Sequence, residues 1–114
     1  MENCIFCKII RGEIPSNKVF ENDRVYAFRD INPQAPTHIL VVPKKHCANI
    51  LEGVELKDNI MVDITEAIAE IVKAEGIDAT GFRVVTNCGK DGAQSVEHLH
   101  FHILGGRQLT EQMA

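Results

Sequence analysis

The fold is decided by one stretch near the end of the chain, which reads His98-Leu99-His100-Phe101-His102-Ile103-Leu104. Histidines and apolar residues alternate along it. Because successive side chains of an extended strand point to opposite faces, the pattern predicts a strand over residues 98–104. The three histidines then project from one face, about 6.5–7 Å apart, while Leu99, Phe101 and Ile103 face the core. Three histidines in a row are an unusual way to fill a solvent-exposed face, so we interpret this strand as functional.

A polar loop, residues 87–95, directly precedes this strand. Its glycines let backbone N–H groups turn toward an anion. Its side chains add amide and hydroxyl donors, from Asn87, Gln94 and Ser95. The loop lacks the Gly-x-x-x-x-Gly-Lys-[Ser/Thr] pattern of a Walker loop. By itself such a loop is ordinary turn chemistry, but its place before three aligned histidines favours a phosphate cradle.

Two kinds of chemistry suit the three histidines. Paired imidazoles on a strand can present ligands to zinc, copper or iron. Alternatively, one imidazole is a nucleophile toward phosphorus, and its neighbours supply hydrogen bonds. Hydrolytic and redox metal sites usually add a carboxylate, whereas Glu97 would point to the face opposite the histidines if the strand extends back to it. The spacing alone leaves both chemistries open.

Further strands are predicted upstream of the histidines from apolar, β-branched runs that turn residues bound. Residues 21–23 are a polar turn, which favours a hairpin between the first two strands. Pro43 ends the third strand, because proline has no N–H to donate to a neighbouring strand. The predicted strands cover residues 19–20, 25–28, 38–42 and 82–86.

One long helix is predicted between the third and fourth strands. Its apolar residues recur at steps of three and four, and Gly76 is its C-terminal stop. The positions that set this period are Leu56, Ile60, Ile64, Ile68 and Ile71. Residues 4–10 are predicted as a short helical or irregular opening. Runs of strands around one helix imply an α+β domain with an antiparallel sheet rather than alternating βαβ units.

Composition sets the outer limits on class and location. The chain has 114 residues, which suits one domain over residues 1–114. A net charge of −4 argues against a nucleic-acid binder that relies on bulk charge. No apolar run approaches the ~20 residues that span a bilayer, and the N-terminus has no signal-peptide pattern. We therefore expect no membrane partner and a cytoplasmic location, where the four cysteines are reduced thiols or metal ligands.

Residues 92–107, from Gly-Ala-Gln-Ser through the three histidines to Gly-Gly-Arg, resemble the signature of the histidine triad family. Together with residues 30–38, Asp-Ile-Asn-Pro-Gln-Ala-Pro-Thr-His, they are similar to its nucleotide-binding (Hint) branch, in the bacterial form with a Cys-x-x-Cys pair. The resemblance runs from Cys4 to Arg107. Ala93 departs from it, because close relatives often carry glycine there, and so does Glu97, which is often aromatic or polar. The resemblance implies the family's α+β fold, with an antiparallel sheet of about five strands, one long helix and a short N-terminal helix.

The resemblance also implies an enzyme, a nucleoside phosphoramidase or related nucleotidyl hydrolase with a histidine nucleophile. His100 would attack the α-phosphorus of a purine nucleoside conjugate, and water would then release the nucleoside monophosphate. The catalytic residues carried over are His38, Ser95, His100 and His102. No catalytic cofactor is expected. An imidazole with a pKa of about 6.5 is mostly neutral at neutral pH, and the neutral form is the nucleophile.

The nucleotide-binding residues follow from the same resemblance. An apolar slot would hold the base, Asp30 would accept bonds from the ribose hydroxyls, and the polar loop would hold the phosphate. The base-slot residues are Ile5, Phe6, Ile9, Phe28 and Ile31, and the loop residues are Asn87, Ala93 and Gln94. Without the resemblance, Phe6 and Phe28 would be core aromatics, and Asp30 would be turn chemistry.

A second constellation starts from the Cys-x-x-Cys pair at Cys4 and Cys7, which alone is half a zinc site. Bacterial-type relatives resemble an arrangement in which His46 and His98 complete a tetrahedral structural zinc site. In that case His98 is a metal ligand rather than a catalytic group.

The resemblance also implies a homodimer joined across the helix and an adjacent strand. Ile60, Met61 and Ile64 are candidates for that interface, although the sequence does not separate interface from core. Three alternatives to the hydrolase stay open. They are a nucleotide-binding regulatory or interaction module with little catalysis, a diadenosine polyphosphate-type hydrolase, and an enzyme whose histidines hold a catalytic metal.

Overall fold

The computed structural model describes residues 3–113 and contains helices on both faces of an antiparallel sheet. In chain order the elements are α1 (Ile5–Ile10), β1 (Lys18–Glu21), β2 (Val25–Arg29), β3 (Thr37–Pro43), α2 (Ile50–Glu55), α3 (Ile60–Ala74), β4 (Phe82–Val85) and β5 (Phe101–Gly105). The five strands lie in the order β1-β2-β3-β5-β4, and every neighbouring pair is antiparallel. The predicted α+β class with a five-stranded antiparallel sheet is confirmed.

The central strand β3 separates two hydrophobic clusters by simple alternation. Ile39 and Val41 face α3 and pack with buried residues of that helix such as Ile64. Leu40 and Val42 face the other side, where they pack with Phe6 of α1. The period-two alternation of a strand therefore assigns one face of the sheet to the long helix and the other to the short N-terminal helix.

Strand register brings the upstream histidine to the functional face. Leu40 of β3 lies opposite His102 of β5, and His38 lies opposite Leu104. Directly opposed residues share a face, so His38, Leu40 and His102 all belong to the α1 side. A register shift of one residue would turn each of these side chains to the α3 side.

The prediction of one helix starting at Leu56 is wrong. A separate helix α2 precedes α3, and Leu56 is the C-cap of α2. The residues between the helices include Lys57 and Asn59, which have left-handed backbone angles with φ of 50° and 56°. Left-handed residues end a right-handed helix, and the apolar period alone gives no sign of that break.

The prediction that the last strand starts at His98 is also wrong, because β5 starts at Phe101. The preceding segment, residues 98–100, is held by isolated hydrogen bonds rather than by the hydrogen-bond ladder of a strand. The Leu99 N–H donates to the Cys47 carbonyl at 2.7 Å, and the Thr86 hydroxyl donates to the His100 carbonyl at 2.8 Å. Leu99 still packs in the core, as its apolar character predicted.

The interface candidates on α3 divide between core and surface. Ile60 and Ile64 are buried within the chain itself, at 3% and 0% exposure, so they belong to the core. Met61 is only partly buried and packs against that core. Within residues 3–113, no helix is both long and apolar enough to cross a membrane.

Candidate functional site

A cavity of about 390 Å³ lies between α1, the end of β2 and the histidine segment. Its lining includes every predicted base-slot residue together with Asp30, Ser95, His100 and His102. These positions are far apart in sequence, and the packing of α1 on the sheet brings them together. The lining also contains residues that the sequence analysis did not single out, namely Ile14, Pro15, Ser16, Asn17, Arg29, Leu40 and Val96.

One ring nitrogen of His100 makes a hydrogen bond to the backbone, and the other keeps its lone pair available. Its Nδ1 lies 2.7 Å from the His98 carbonyl oxygen, and a carbonyl only accepts hydrogen bonds. Nδ1 therefore carries the proton, and Nε2 keeps its lone pair. The ring is 3% exposed and stands edge-on to Phe6, with ring centroids 5.0 Å apart. A buried, oriented imidazole with an unprotonated Nε2 beside a cavity has the geometry of a nucleophile.

The other two imidazoles of the site are linked by a chain of hydrogen bonds. The Gln34 N–H donates to Nδ1 of His38 at 3.0 Å, so the proton of a neutral His38 lies on Nε2. That Nε2–H donates to Nδ1 of His102 at 2.9 Å. The proton of His102 is consequently on its own Nε2. One backbone amide thus determines the tautomers of both rings.

Burial keeps these two rings neutral. It lowers the pKa of His102 to about 4, with further lowering by the neighbouring His100 and His38. Burial also lowers the pKa of His38, and the nearby Asp30 carboxylate partly opposes that effect. At neutral pH His102 is therefore a neutral donor through Nε2.

Asp30 contacts both its own turn and the histidine chain. Its Oδ1 accepts the Asn32 N–H at 2.8 Å, and its Oδ2 lies 3.5 Å from Nε2 of His38. Asp30, His38 and His102 place their ligand atoms within 4.8 Å of one another. A cation there would have to displace the proton from His38 Nε2, while Nδ1 already accepts from Gln34. This hydrogen-bond pattern disfavours a metal bound to these histidines.

The loop before the histidine segment is braced by its own side chains. Asn87 donates through Nδ2 to the Gly92 carbonyl at 2.7 Å. Gln94 donates through Nε2 to the carbonyls of Ala48 and Val96, and its Oε1 accepts the Gly89 N–H. Ser95 reaches the cavity wall, whereas Asn87, Ala93 and Gln94 are not among the residues that line it. The phosphate-binding role of these three residues stays a prediction.

Two residues that support the site were missed by the sequence analysis. Thr86 follows β4 directly and holds the His100 carbonyl, while Cys47 holds Leu99 through its backbone. In the sequence, Thr86 is only the last residue of the predicted strand over residues 82–86. A backbone carbonyl such as that of Cys47 leaves no sequence signal at all.

The four predicted zinc ligands lie in one cluster beside the cavity. Cys4 and Cys7 come from the start of α1, His46 follows β3, and His98 precedes β5. Their ligand atoms all lie within 4.8 Å of one another. His98 Nδ1 is 3.3 Å from Cys4 Sγ, 3.5 Å from Cys7 Sγ and 3.1 Å from His46 Nδ1. Tetrahedral zinc with ordinary bond lengths sets N···N and N···S separations of about 3.3 and 3.6 Å.

The tautomer of His98 also fits a metal ligand. Its Nε2 lies 2.9 Å from the Pro43 carbonyl and must donate to it, so Nδ1 presents a lone pair to the cluster. Burial lowers the pKa of His98 to about 4, which keeps the ring neutral. Burial, with the neighbouring Cys4, raises the pKa of the Cys7 thiol to about 11, so zinc binding here would release a proton. The residues therefore fit a structural zinc ion.

Comparison with known sequences identifies relatives along nearly the whole chain. The purine nucleoside phosphoramidase of Escherichia coli is 42% identical over 113 residues, covering 99% of this chain and 95% of that protein. The 14 kDa zinc-binding protein of Zea mays is 48% identical over 108 residues, covering 93% of this chain and 84% of that protein.

Comparison with solved structures agrees with this result. A histidine triad protein from Clostridium difficile superimposes with a TM-score of 0.95 and 53% identity, covering 99% of this chain and 98% of that one. A family model described as the HIT domain matches residues 11–109. That match spans most of the chain, and the histidine triad protein from Clostridium difficile has the same fold at 53% identity. The chain therefore belongs to the HIT domain family.

Proposed function

We propose that this protein hydrolyses purine nucleoside phosphoramidates and related nucleotidyl conjugates to the nucleoside monophosphate. The observation that carries the proposal is the state of His100. Its Nδ1–H is bound to the His98 carbonyl at 2.7 Å, and the ring lines the cavity with its Nε2 free. The family relationship and the 42% identity to an Escherichia coli purine nucleoside phosphoramidase support it.

The proposed reaction has two displacements at phosphorus. Nε2 of His100 attacks the α-phosphorus, the P–N bond breaks, and the amine departs with a proton, leaving a nucleotidyl-histidine. Water then attacks the same phosphorus, and the N–P bond to His100 breaks. The products are the nucleoside monophosphate and the amine. Splitting one hydrolysis into two displacements is the usual advantage of covalent catalysis.

The neighbouring rings are proposed to supply the proton and the charge stabilisation. His102 is neutral, and its Nε2–H is free to donate to a phosphoryl oxygen or to the departing nitrogen. His38 fixes that tautomer by donating to Nδ1 of His102. The Asp30 carboxylate beside His38 can stabilise positive charge that develops on the two rings. Ser95 adds a hydroxyl at the cavity wall. These groups stabilise charge that develops in the transition state.

The nucleoside is proposed to occupy the apolar part of the cavity. Ile5, Phe6, Ile9, Phe28 and Ile31 would contact the base, and Asp30 would accept from the ribose hydroxyls. Exposure supports a ligand at two of these positions, since Ile31 is 91% exposed and Ile5 is 46% exposed beside buried Phe6 and Phe28. Apolar walls with a few polar groups are typical of small-molecule sites.

A phosphoramidate assay on the protein and on His100→Ala tests the nucleophile. We expect turnover of an adenosine phosphoramidate to fall about a thousandfold or more in the variant, because no other side chain takes the place of Nε2. Adenosine monophosphate binding, measured by calorimetry, should stay within about threefold, which shows that the site is intact.

Comparable turnover in His100→Ala would refute this mechanism. Nucleotide binding without turnover in the unaltered protein would favour the regulatory module instead. Turnover that disappears on chelation, with the fold retained, would favour a catalytic metal.

We also propose that Cys4, Cys7, His46 and His98 hold a structural zinc ion in a cytoplasmic protein, where both thiols remain reduced. Bound zinc would cross-link the start of α1 to the loop after β3 and to the histidine segment. The zinc-binding protein from Zea mays among the relatives supports this proposal. The cation takes no part in the reaction.

We further propose that single-domain subunits pair as a homodimer through β4 and the adjacent side of α3. Val84 lies opposite the buried Ile103 and so belongs to the α3 face, yet Val84 and Phe82 are each 40% exposed. The helix packs chiefly over β1, β2 and β3, and β4 is the edge strand at the opposite end of the sheet from β1. An apolar sheet edge of this kind is suited to a second copy of the chain.

A further inference from the structure

A second cavity adjoins the proposed nucleoside cavity, the one lined by His100 and Phe6. Its volume is about 620 Å³, and its lining residues are Asn3, Cys4, Ile5, His46, Ser95, Val96 and Glu97. The two cavities share three of these residues as a common wall, namely Ile5, Ser95 and Val96. A ligand that fills the first cavity and extends past Ser95 therefore enters the second.

Glu97 dominates the charge of this second cavity. No lysine or arginine is among its lining residues, and Glu97 has no ion pair within residues 3–113. Cys4 and His46 belong to the Cys2His2 cluster. Two thiolates and a zinc ion cancel, and two neutral thiols carry no charge, so the cluster adds little in either state. The cavity is thus an anionic cleft with a single charge.

The backbone around Glu97 is held in place on both sides. The Gln94 side chain donates to the Val96 carbonyl at 2.9 Å on one side. On the other side, His98 is fixed by its Pro43 bond and Leu99 by the Cys47 carbonyl. The backbone of the segment that carries Glu97 is thus anchored, while its exposed carboxylate is left available to a ligand in the cavity.

We propose that this cleft is the leaving-group subsite and that Glu97 selects conjugates whose leaving group carries a positive charge, such as an aminoalkyl amine. The proposal rests on the proposed hydrolase function. With the nucleoside in the apolar cavity and the phosphorus at His100, the part of the conjugate beyond the P–N bond continues past Ser95 into the cleft. There an ammonium is attracted to the carboxylate, and a carboxylate on the leaving group is repelled.

The test compares three adenosine phosphoramidates of equal chain length, with an aminoalkyl, a hydroxyalkyl or a carboxyalkyl leaving group. We expect kcat/KM to be about threefold to tenfold higher for the aminoalkyl than for the hydroxyalkyl conjugate, as two unit charges about 6 Å apart in a solvated cleft predict. Glu97→Gln should bring that ratio to about one, and Glu97→Lys should make the carboxyalkyl conjugate the better substrate. Added salt should shrink the ratio.

Glu55→Gln is the matched control, because it removes the same charge from an exposed site on α2 that lines neither cavity. It should keep the unaltered ratio. An equal ratio in the unaltered protein and Glu97→Gln overturns the proposal, and so does an equal fall of the ratio in Glu55→Gln.

Binding of the corresponding non-hydrolysable phosphonate analogues separates this proposal from the proposed function. If no conjugate is turned over, the hydrolase function fails, but a preference for the aminoalkyl analogue that Glu97→Gln removes still supports the subsite. Equal affinities for the three analogues overturn the subsite even if turnover is observed.

Discussion

At the scale of residues, the three histidines of residues 98–102 differ in which nitrogen carries the proton. His98 and His100 each donate to a backbone carbonyl, through Nε2 and Nδ1 respectively. His102 accepts at Nδ1 from His38 and keeps its proton on Nε2. One repeated residue type therefore supplies a metal-ligand geometry, a nucleophile geometry and a proton donor. The partner of the second ring nitrogen decides between these roles.

The lowered pKa of His102 predicts a loss of stability in acid. Its pKa is about 4 in the folded chain, mainly because of burial, and about 6.5 when unfolded. The unfolded state therefore binds a proton first as pH falls, and the free energy of unfolding decreases between about pH 6.5 and pH 4. Because the ring is partly exposed, we expect a contribution of about 1–2 kcal/mol.

Urea unfolding at several pH values, on the protein and on His102→Asn, isolates this contribution. The asparagine Oδ1 takes the place of Nδ1 as the acceptor for His38 but does not titrate. The free energy of unfolding of the unaltered protein minus that of the variant should increase by about 1–2 kcal/mol from pH 4 to about pH 6.5. A difference that stays constant across this range would contradict the assignment.

At the scale of elements, the two edge strands of the sheet differ in what they do with their apolar residues. β1 packs Val19 and Phe20 against the core, whereas β4 exposes Phe82 and Val84. Monomers rarely leave an apolar sheet edge of this kind free, because it is a template for association. The element arrangement thus locates the proposed dimer face.

Val84→Lys should give a monomer. The added charge would be buried without a partner at the proposed interface, while at 40% exposure it is tolerated within one chain. Sedimentation should report about twice the chain mass for the unaltered protein and about one chain mass for the variant.

Val54→Lys is the control, because Val54 is an equally apolar, exposed residue on α2, at 59% exposure. Its mass should match the unaltered protein. A dimer that survives Val84→Lys, or an unaltered protein that is already monomeric, would refute this interface.

At the scale of the whole molecule, the Cys2His2 cluster joins parts of the chain that are distant in sequence. Cys4 and His98 are 94 positions apart, and their contact connects the N-terminal helix to the histidine segment. α1 has six residues, too few to be stable alone. A metal that holds α1 in place would also hold Phe6 and Ile9, which line the cavity beside His100.

Zinc should therefore stabilise the fold. Elemental analysis should find about one zinc per chain, and free zinc at a hundred to a thousand times its Kd should raise the free energy of unfolding by about 2.7–4.1 kcal/mol. The double variant Cys4→Ser, Cys7→Ser should lose both the metal and this increment, whereas Cys88→Ser, outside the cluster, should keep them. Metal-free protein of unchanged stability would refute the structural role.

Several parts of the fold and site were readable from the chain alone. Alternation predicted the histidine strand, because burial on one sheet face imposes a period of two. Apolar, β-branched runs between turn residues predicted the other four strands, and the order of strands and helix predicted the antiparallel α+β class. The resemblance of residues 92–107 predicted the family, which is confirmed. The break between α2 and α3 could not be predicted from the sequence. Lys57 and Asn59 adopt left-handed backbone angles there, and the spacing of apolar residues does not depend on those angles.

The sequence by itself determined which residue types are available, namely five histidines and the Cys-x-x-Cys pair at fixed spacings, with apolar strands to carry them. Only the tertiary structure decided what each of them does. The tautomers of His38 and His102 follow from the Gln34 amide, and that of His98 from the Pro43 carbonyl. The reason is physical: a tautomer depends on a partner within about 3 Å in space, and backbone amides and carbonyls are the same in every sequence.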